Sequence, residues 1–335
     1  MNVVYLALGA VLLAGTVVDL LWTTLWVEGG AGPLTSRVMA WTWRTLRRLG
    51  SENPWLRSLS GVVIFVLSLA MWILLLWSGW TLLFASAERA LVDTLHRGPV
   101  SWADRFYFTG YTIFTLGIGD FVPRTGRWQF VTTLATASGL LFITLSVTYT
   151  LSVLDAVTQK RAFANNVNGL GTRSEAIVRR SWNGETFRAL DHPLDTIATQ
   201  LNTLTANHKA YPILHYFHST QAARAPVVEI AILDEALTLY RFGIPSEDRP
   251  NEIVLRTARA SVQRYLETLH EAFIDPADRT PPAPALTPLR EAGIPTVSDD
   301  EFAESLRDVR DRRRTLLGLV ESDARRWPSE AAESE

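Results

Sequence analysis

The chain of 335 residues contains no cysteine. Disulfides and thiolate metal sites are thereby excluded, and nothing marks the redox compartment. Charge excess is missing as well: 32 Lys and Arg stand against 34 Asp and Glu, a net charge of −2. Such a balance gives no broad attraction to nucleic acid. The sequence has neither the βαβ alternation nor the Gly-rich fingerprint of a nucleotide-binding domain. No nucleophile–base pattern supports catalysis, so neither an enzyme nor a cofactor is expected. A ladder of arginines of the voltage-sensing kind is absent. The N-terminal apolar run lacks the basic n-region and small-residue cleavage site of a signal peptide.

What the chain does have is apolar length. Mean hydropathy is slightly positive, with the apolar residues concentrated in the N-terminal half. Twelve tryptophans are present, many at the ends of apolar runs, as interfacial belts require. Val3 to Trp26, Leu59 to Ala85 and Arg127 to Leu154 are each long enough to cross a hydrocarbon core of about 30 Å. Asp19 lies inside the first of these, where a carboxylate is costly. It either contacts protein as a coupling or gating group, or sits hydrated near the cytoplasmic interface; hydration is the preferred expectation. Glu28 to Pro33 reads as a Gly-rich turn. Ser36 to Leu49 reads as a basic amphipathic helix with Arg37, Arg44, Arg47 and Arg48, suited to the membrane surface or to a cuff around the next span. Ser51-Glu52-Asn53-Pro54 breaks it. Arg57 adds to the basic set, and Lys160 and Arg161 follow the last span. These cations belong on the cytoplasmic side, which places the N-terminus outside.

Between the second and third spans the character changes. Glu88, Arg89, Asp93, His96 and Arg97 mark an aqueous segment. Ser101-Trp102-Ala103-Asp104 then has the form of a helix start. The helix it opens, to about Phe114, is too short to cross a membrane. Its C-terminal end would present a negative dipole to a cation. Next comes Thr115-Leu116-Gly117-Ile118-Gly119-Asp120, in which two glycines alternate with two large apolar residues. Glycine is unfavourable in a helix and gives a strand nothing to pack, but it permits φ > 0. Such a ribbon can turn successive carbonyls to one side, and several ribbons around an axis would stack rings of oxygen that replace a cation's hydration shell. A re-entrant segment at membrane depth is tolerated only when buried in protein or lining water.

This motif resembles the selectivity filter of the potassium channel family, usually Thr-Val-Gly-Tyr-Gly-Asp. Thr115, Gly117, Gly119 and Asp120 match; Leu116 replaces Val, and Ile118 replaces an aromatic residue. Phe106, Tyr107 and Phe108 stand where the family's pore helix carries aromatics, and Gly139 where its inner helix has a glycine. The resemblance covers roughly Gly61 to Val157. It implies an all-α membrane protein with a tetrameric pore-loop channel fold and a mainly helical cytoplasmic domain. Four copies would form a homotetramer in the cell membrane, multi-pass, with the bilayer as its surroundings. Potassium ions would be bound by carbonyls of Thr115, Leu116, Gly117 and Ile118 and by the Thr115 hydroxyl, with Gly119 completing the filter and Asp120 and Phe108 supporting it. At helical spacing, Ser138, Phe142, Ser146 and Tyr149 are the candidate lining of the third span, Tyr149 as an apolar gate. Gly139 is read either as a bend or as a close-packing contact. Since Ile118 cannot donate an OH, a weakly selective monovalent cation channel is the alternative. A membrane-anchored sensor or scaffold acting through the C-terminal half is a further one.

The expected organisation is an N-terminal span over 1–27, a cytoplasmic loop over 28–58, the pore domain over 59–157, a linker over 158–184 and a helical cytoplasmic domain over 185–335. Proline-divided helices are expected near Pro193–His208, Pro212–Ser219, Pro226–Phe242, Pro250–Ile274 and Asp299–Arg326, with a Pro-rich linker from Pro276 to Pro288. His215 and His218, three residues apart, read either as helix packing or, with His208, as a metal or proton sensor. Glu267, Glu271 and Asp275 read as a solvated acidic row. Arg307, Arg310, Arg313 and Arg314 with Glu301, Glu304, Asp308 and Asp311 read as a charged terminal helix laced with ion pairs, either a tetramer contact or a solvated helix with no partner. Any cytoplasmic regulatory ligand is unspecified by these patterns.

Overall fold

A helix in lipid satisfies its own backbone polar groups, so apolar length becomes helix. In the computed structural model, which describes residues 1–27, 30–49, 54–96, 98–218, 225–270, 275–323 and 325–328, three helices are long and apolar enough to cross a membrane. They are α1 (Val3–Leu25), α3 (Pro54–Ala85, apolar over Leu59–Ala85) and α5 (Arg127–Leu170). Between them lie α2 (Pro33–Leu49) and the short α4 (Trp102–Ile113). Two three-residue strands, β1 (Leu91–Asp93) and β2 (Phe121–Pro123), pair antiparallel with Val92 opposite Val122. The protein is an all-α membrane protein.

The chain divides into two compact units. The first holds Met1–Ser51, Leu59–Leu154 and Ala210–Tyr216. There α1 and α3 cross at small residues: a Cβ on Gly9 would come within 2.8 Å of the Gly79 carbonyl. Close backbone approach of this kind is how helices pack in lipid, where hydrophobic burial offers little. Asp19 is fully buried, contrary to the hydrated position expected from sequence. Its carboxylate accepts the backbone N–H of Leu34 at 2.7 Å and of Thr35 at 3.2 Å, the Thr35 hydroxyl at 2.5 Å and the Trp72 indole N–H at 2.8 Å. It therefore caps the N-terminus of α2 from another helix, where a negative charge also complements the helix dipole. On α2 itself, Met39 is buried whereas Trp41 is 75% exposed, on the side of Arg37, Arg44 and Arg48. The apolar residues of α2 thus do not share one face.

The second unit holds Glu52–Ser58, Asp155–Lys209 and Phe217–Glu335. The stretch read as a linker is helical: α5 runs on to Leu170, and α6 spans Ser174–Ser181. Lys160, Phe163, Ala164 and Val167 are buried at helical spacing, a periodicity hidden by the polar residues between them. Then follow α7 (Asp191–Ala210), α8 (Pro226–Thr238), α9 (Glu252–His270), α10 (Thr287–Glu291), α11 (Asp299–Asp308) and α12 (Arg310–Ser322). Pro212–Tyr216 is a 3-10 turn rather than a helix to Ser219, and the terminal helix is broken at Val309. The Pro-rich stretch is not loose, since Arg313 donates to the Pro282 carbonyl and Arg314 to that of Ala277. Glu28, Ser51, Glu52, Asn53, Arg97, Ser219, Glu271 and Ile274, named in the sequence reading, lie outside the described residues.

At the centre of this unit is α8, buried at every position. A helix apolar all round belongs in a core, yet α8 carries Asp234 and Glu235. Their partners are on α12: Arg312 binds Asp234 bidentately through one guanidinium edge, with Nε 2.9 Å from Oδ2 and Nη2 2.5 Å from Oδ1. Arg313 binds Glu235 at 2.7 and 3.0 Å. The charges of the terminal helix are thus spent inward, in addition to the looser Arg314–Asp311 pair at 4.0 Å along the helix. Burial disfavours the charge on Asp234, but Arg312 outweighs it and holds the carboxyl below its ordinary pKa. The resulting stabilisation is complete at neutral pH and is lost only as pH falls below about 4. Arg312→Ala, which strands a buried carboxylate, is expected to cost about 3–5 kcal/mol. Replacing both partners by Leu or Met is expected to cost less. Thermal unfolding of the purified variants checks this; equal losses would show that the pair is not what α8 depends on.

Candidate functional site

Placement of the site begins at Ser101. Its hydroxyl accepts the Asp104 N–H at 3.2 Å, while Asp104 accepts the Ser101 N–H at 2.8 Å, a reciprocal cap that fixes where α4 starts. Trp77 of α3 stacks on Phe106 at 4.4 Å and donates its indole N–H to the Phe106 carbonyl at 2.7 Å. Gly110 lets that indole in, since a Cβ there would lie 2.4 Å from the ring. Phe108 is buried and meets Phe84 of α3 edge-on at 5.0 Å. It therefore supports α4, one layer behind the glycine-spaced ribbon.

The ribbon leaves α4 through two backbone bonds, Thr115 N–H to the Thr112 carbonyl at 3.1 Å and Leu116 N–H to that of Tyr111 at 2.8 Å. It then alternates in hand: φ is +57° at Thr115, +61° at Gly117 and +90° at Gly119, and not positive at Leu116 or Ile118. Alternation between right- and left-handed residues sends N–H groups to one side of the chain and carbonyls to the other. A Cβ on Gly117 would touch nothing within 4 Å, so glycine serves conformation there and not space. Thr115 adopts the same hand without that freedom, at a cost of roughly 1–2 kcal/mol. Residues 115–119 are all exposed in the protomer, Leu116 at 67% and Ile118 at 53%.

Beyond the ribbon the chain is pinned again. Thr94 donates its N–H and its hydroxyl to the Asp120 carbonyl, at 3.0 and 2.9 Å, and the hydroxyl also reaches the Gly119 carbonyl at 3.2 Å. Asp120, half-buried, accepts the Phe121 N–H at 3.1 Å. Tyr111 of α4, edge-on to Tyr107 and Phe108, donates its OH to the Phe121 carbonyl. An aromatic OH thus reaches the end of the ribbon from α4, although position 118 has none. Sequence reasoning overlooked Tyr111, Thr94 and Trp77. The placing of Tyr111 one turn before Thr115 was a visible signal; the other two act across the fold.

On α5, Gly139 meets the end of α4 at backbone range: a Cβ would fall 2.0 Å from the Ile113 carbonyl. It is a close-packing contact. Ser138 accepts the Trp80 indole N–H at 2.9 Å and donates to the Ala135 carbonyl. Phe142, Ser146 and Tyr149 are buried on the same side of α5, with the Tyr149 ring 5.9 Å from Phe65 and 6.3 Å from Trp72 of α3. This row faces the protomer's own helices. The opposite stripe, Thr133, Ala137, Leu140, Thr144, Thr148 and Leu151, is exposed. Its three threonine hydroxyls donate to carbonyls one turn back, at 2.9 to 3.0 Å, leaving lone pairs outward.

The histidines do not converge. His208 bonds the Leu204 carbonyl and meets Tyr265 edge-on, His215 meets Tyr216, and His218 pairs with Asp323. Burial would raise the Asp323 carboxyl, but His218 and Lys160 hold it below its ordinary value. Among the described residues no group of three or more His, Asp or Glu could hold a metal ion.

Residues 61–156 match the model of a family described as ion channel. The uncharacterized membrane protein YdjJ of Bacillus subtilis (strain 168) is 44% identical over 98% of this chain and 96% of its own length. No solved structure matches the chain. The glycine-spaced ribbon, its short supporting helix and the two flanking spans all fall within the matched residues. The chain belongs to the pore-loop ion channel family and is similar over nearly its whole length to the Bacillus membrane protein YdjJ.

Proposed function

We propose that this protein is the protomer of a homotetrameric potassium channel that conducts K+ passively across the cell membrane. The observation that carries the reading is the positive φ at Thr115, Gly117 and Gly119, which gives the ribbon one carbonyl-bearing side. Carbonyls of Thr115, Leu116, Gly117 and Ile118, with the Thr115 hydroxyl, replace the ion's water, and fourfold symmetry closes each ring. Leu116 and Ile118, exposed in one protomer, are covered when four ribbons meet. The C-terminal end of α4 aims its dipole at the ion. Asp120 lies at the outer mouth. Basic residues of α2 face the cytoplasm, the N-terminus lies outside, and the second unit, on the cytoplasmic side, gates the pore with α5. The water-facing wall of α5 is the stripe of Thr133, Thr144, Thr148 and Leu151, because the row through Tyr149 is occupied by the protomer's own helices. One observation favours a weakly selective cation channel instead: Ile118 leaves the ribbon without the OH an aromatic residue would supply there.

Potassium-driven flux into liposomes tests the reading, and reversal potentials in mixed potassium and sodium separate the two selectivities; equal permeability favours the weakly selective one. Gly117→Ala puts a Cβ on a left-handed residue at roughly 1 kcal/mol per copy, and is expected to lower flux on the order of 100-fold. Persistent flux would reject the ribbon as the conducting element. Gly139→Ala, which drives a methyl into the Ile113 carbonyl, is expected to lower stability by about 1–3 kcal/mol and to lower the melting temperature accordingly. The chain has no native cysteine, so Thr144→Cys and Thr148→Cys can be probed directly. Thiol reagents applied from the cytoplasmic side are expected to block these variants and to spare Tyr149→Cys; the reverse pattern would move the lining back to the Tyr149 row.

A further inference from the structure

The second unit carries an open cavity of about 330 Å³ lined on one side by α9 and flanked by Arg241 and Arg312. Its α9 wall presents Arg256 and Arg259 one turn apart, flanked by Leu255 and Ala260. Four guanidiniums meet one lining carboxylate, Glu252, which pairs with Arg241; Asp234 lies buried beneath Arg312, and Glu235 and Glu267 also act electrostatically on Arg259 and Arg312 respectively. Arg312 is committed, since it also bonds Gln263 at 2.6 Å and the Arg259 carbonyl at 3.2 Å. Arg259 is not neutralised by a hydrogen-bonded carboxylate. It donates to the Thr238 hydroxyl at 3.2 Å and lies over the Phe242 ring at 5.4 Å. Burial lowers its pKa despite the pull of Asp234, with Arg312 and Arg241 adding to the effect. Arg256 is exposed at the rim.

A second observation meets the first at the same place. After α8 the chain makes a π-helical turn, Leu239–Gly243, and this turn carries both Arg241 and Phe242. Such turns interrupt the regular ladder and are frequent at functional sites. Here it brings Arg241 to the cavity and slides Phe242 beneath Arg259. A pocket of this size with surplus guanidinium groups suits a small ligand of high negative charge, because planar N–H forks match phosphoryl oxygens bidentately.

We propose that the cavity between α9, the π turn and α12 is a binding site for a phosphate-bearing small molecule, held chiefly by Arg256 and Arg259. Arg241 and Arg312 supply the surrounding field. Binding there adds negative charge beside the Arg312–Asp234 pair that anchors α12 to α8. That the ligand then alters ion flux rests on the channel reading above; that it binds does not.

The test is calorimetric titration of the purified full-length protein with sodium pyrophosphate and with AMP, in 50 and 300 mM KCl. Binding in the micromolar range, weakened at the higher salt, is expected. Arg256→Gln, at an exposed position, is expected to weaken it about tenfold, the value of one charge-assisted hydrogen bond. Arg256→Lys is expected to recover part of that, and Arg259→Gln to weaken it at least as much. Failure of both probes to bind at 1 mM would overturn the proposal, as would equal affinity in Arg256→Gln. Gly117→Ala separates the two readings: it is expected to lower flux as stated above and keep the wild-type affinity. Should Arg259→Gln fail to fold, the Arg256 pair and the salt dependence decide the matter.

Discussion

A main-chain carbonyl in hydrocarbon must find a partner, at a cost of several kcal/mol if it does not. Residues 115–119 are exposed in the protomer, and positive φ at Thr115, Gly117 and Gly119 takes them out of any regular hydrogen-bond ladder. Everything around the ribbon answers to this constraint. The cap at Ser101 sets the start of α4, and the bonds from Thr115 and Leu116 set its end. Trp77, Phe84 and Phe108 hold α4 against α3, and Thr94 and Tyr111 hold the far end of the ribbon. Gly139 brings α5 to within backbone range of Ile113. With both ends clamped, the left-handed conformation at Thr115 can be sustained, as strain of 1–3 kcal/mol persists only where the surroundings over-determine it.

The second unit depends on a different kind of burial. Its central helix is enclosed on every side, and the carboxylates of Asp234 and Glu235 would be prohibitive there without Arg312 and Arg313. Ion pairs of this type add less to stability than well-packed apolar residues, but they admit few alternative registers. They place α12 on α8, and α12 in turn straps the proline-rich stretch down through Pro282 and Ala277.

How much of this could be read from the residues follows from how local each signal is. The spans, the start of α4 at Ser101 and the ribbon were legible because length, a four-residue cap and alternating glycines are short-range patterns. Helical periodicity also gave a candidate row on α5, one of two stripes the helix carries. It did not say which of them meets α3, since threonine and serine occur on both, and Ser138, Phe142, Ser146 and Tyr149 turned out to be the inward row. The polar residues after Lys160 concealed a helix whose buried positions are only one in three or four. Asp19 looked like a hydrated residue because its partners lie 15 and more residues away, at Leu34, Thr35 and Trp72. Likewise Arg313 suggested a pair along its own helix, while its carboxylate, like that of the neighbouring Arg312, is 78 positions earlier.

The burial of Asp19 bears on how the chain is made. An isolated helix carrying an aspartate in its apolar stretch enters a bilayer against a penalty of about 2.5–3.5 kcal/mol. Two of its donors emerge from the ribosome soon after it, but the indole of Trp72 belongs to the next span. The first span therefore acquires its full set of hydrogen-bond donors only once the second has been synthesised.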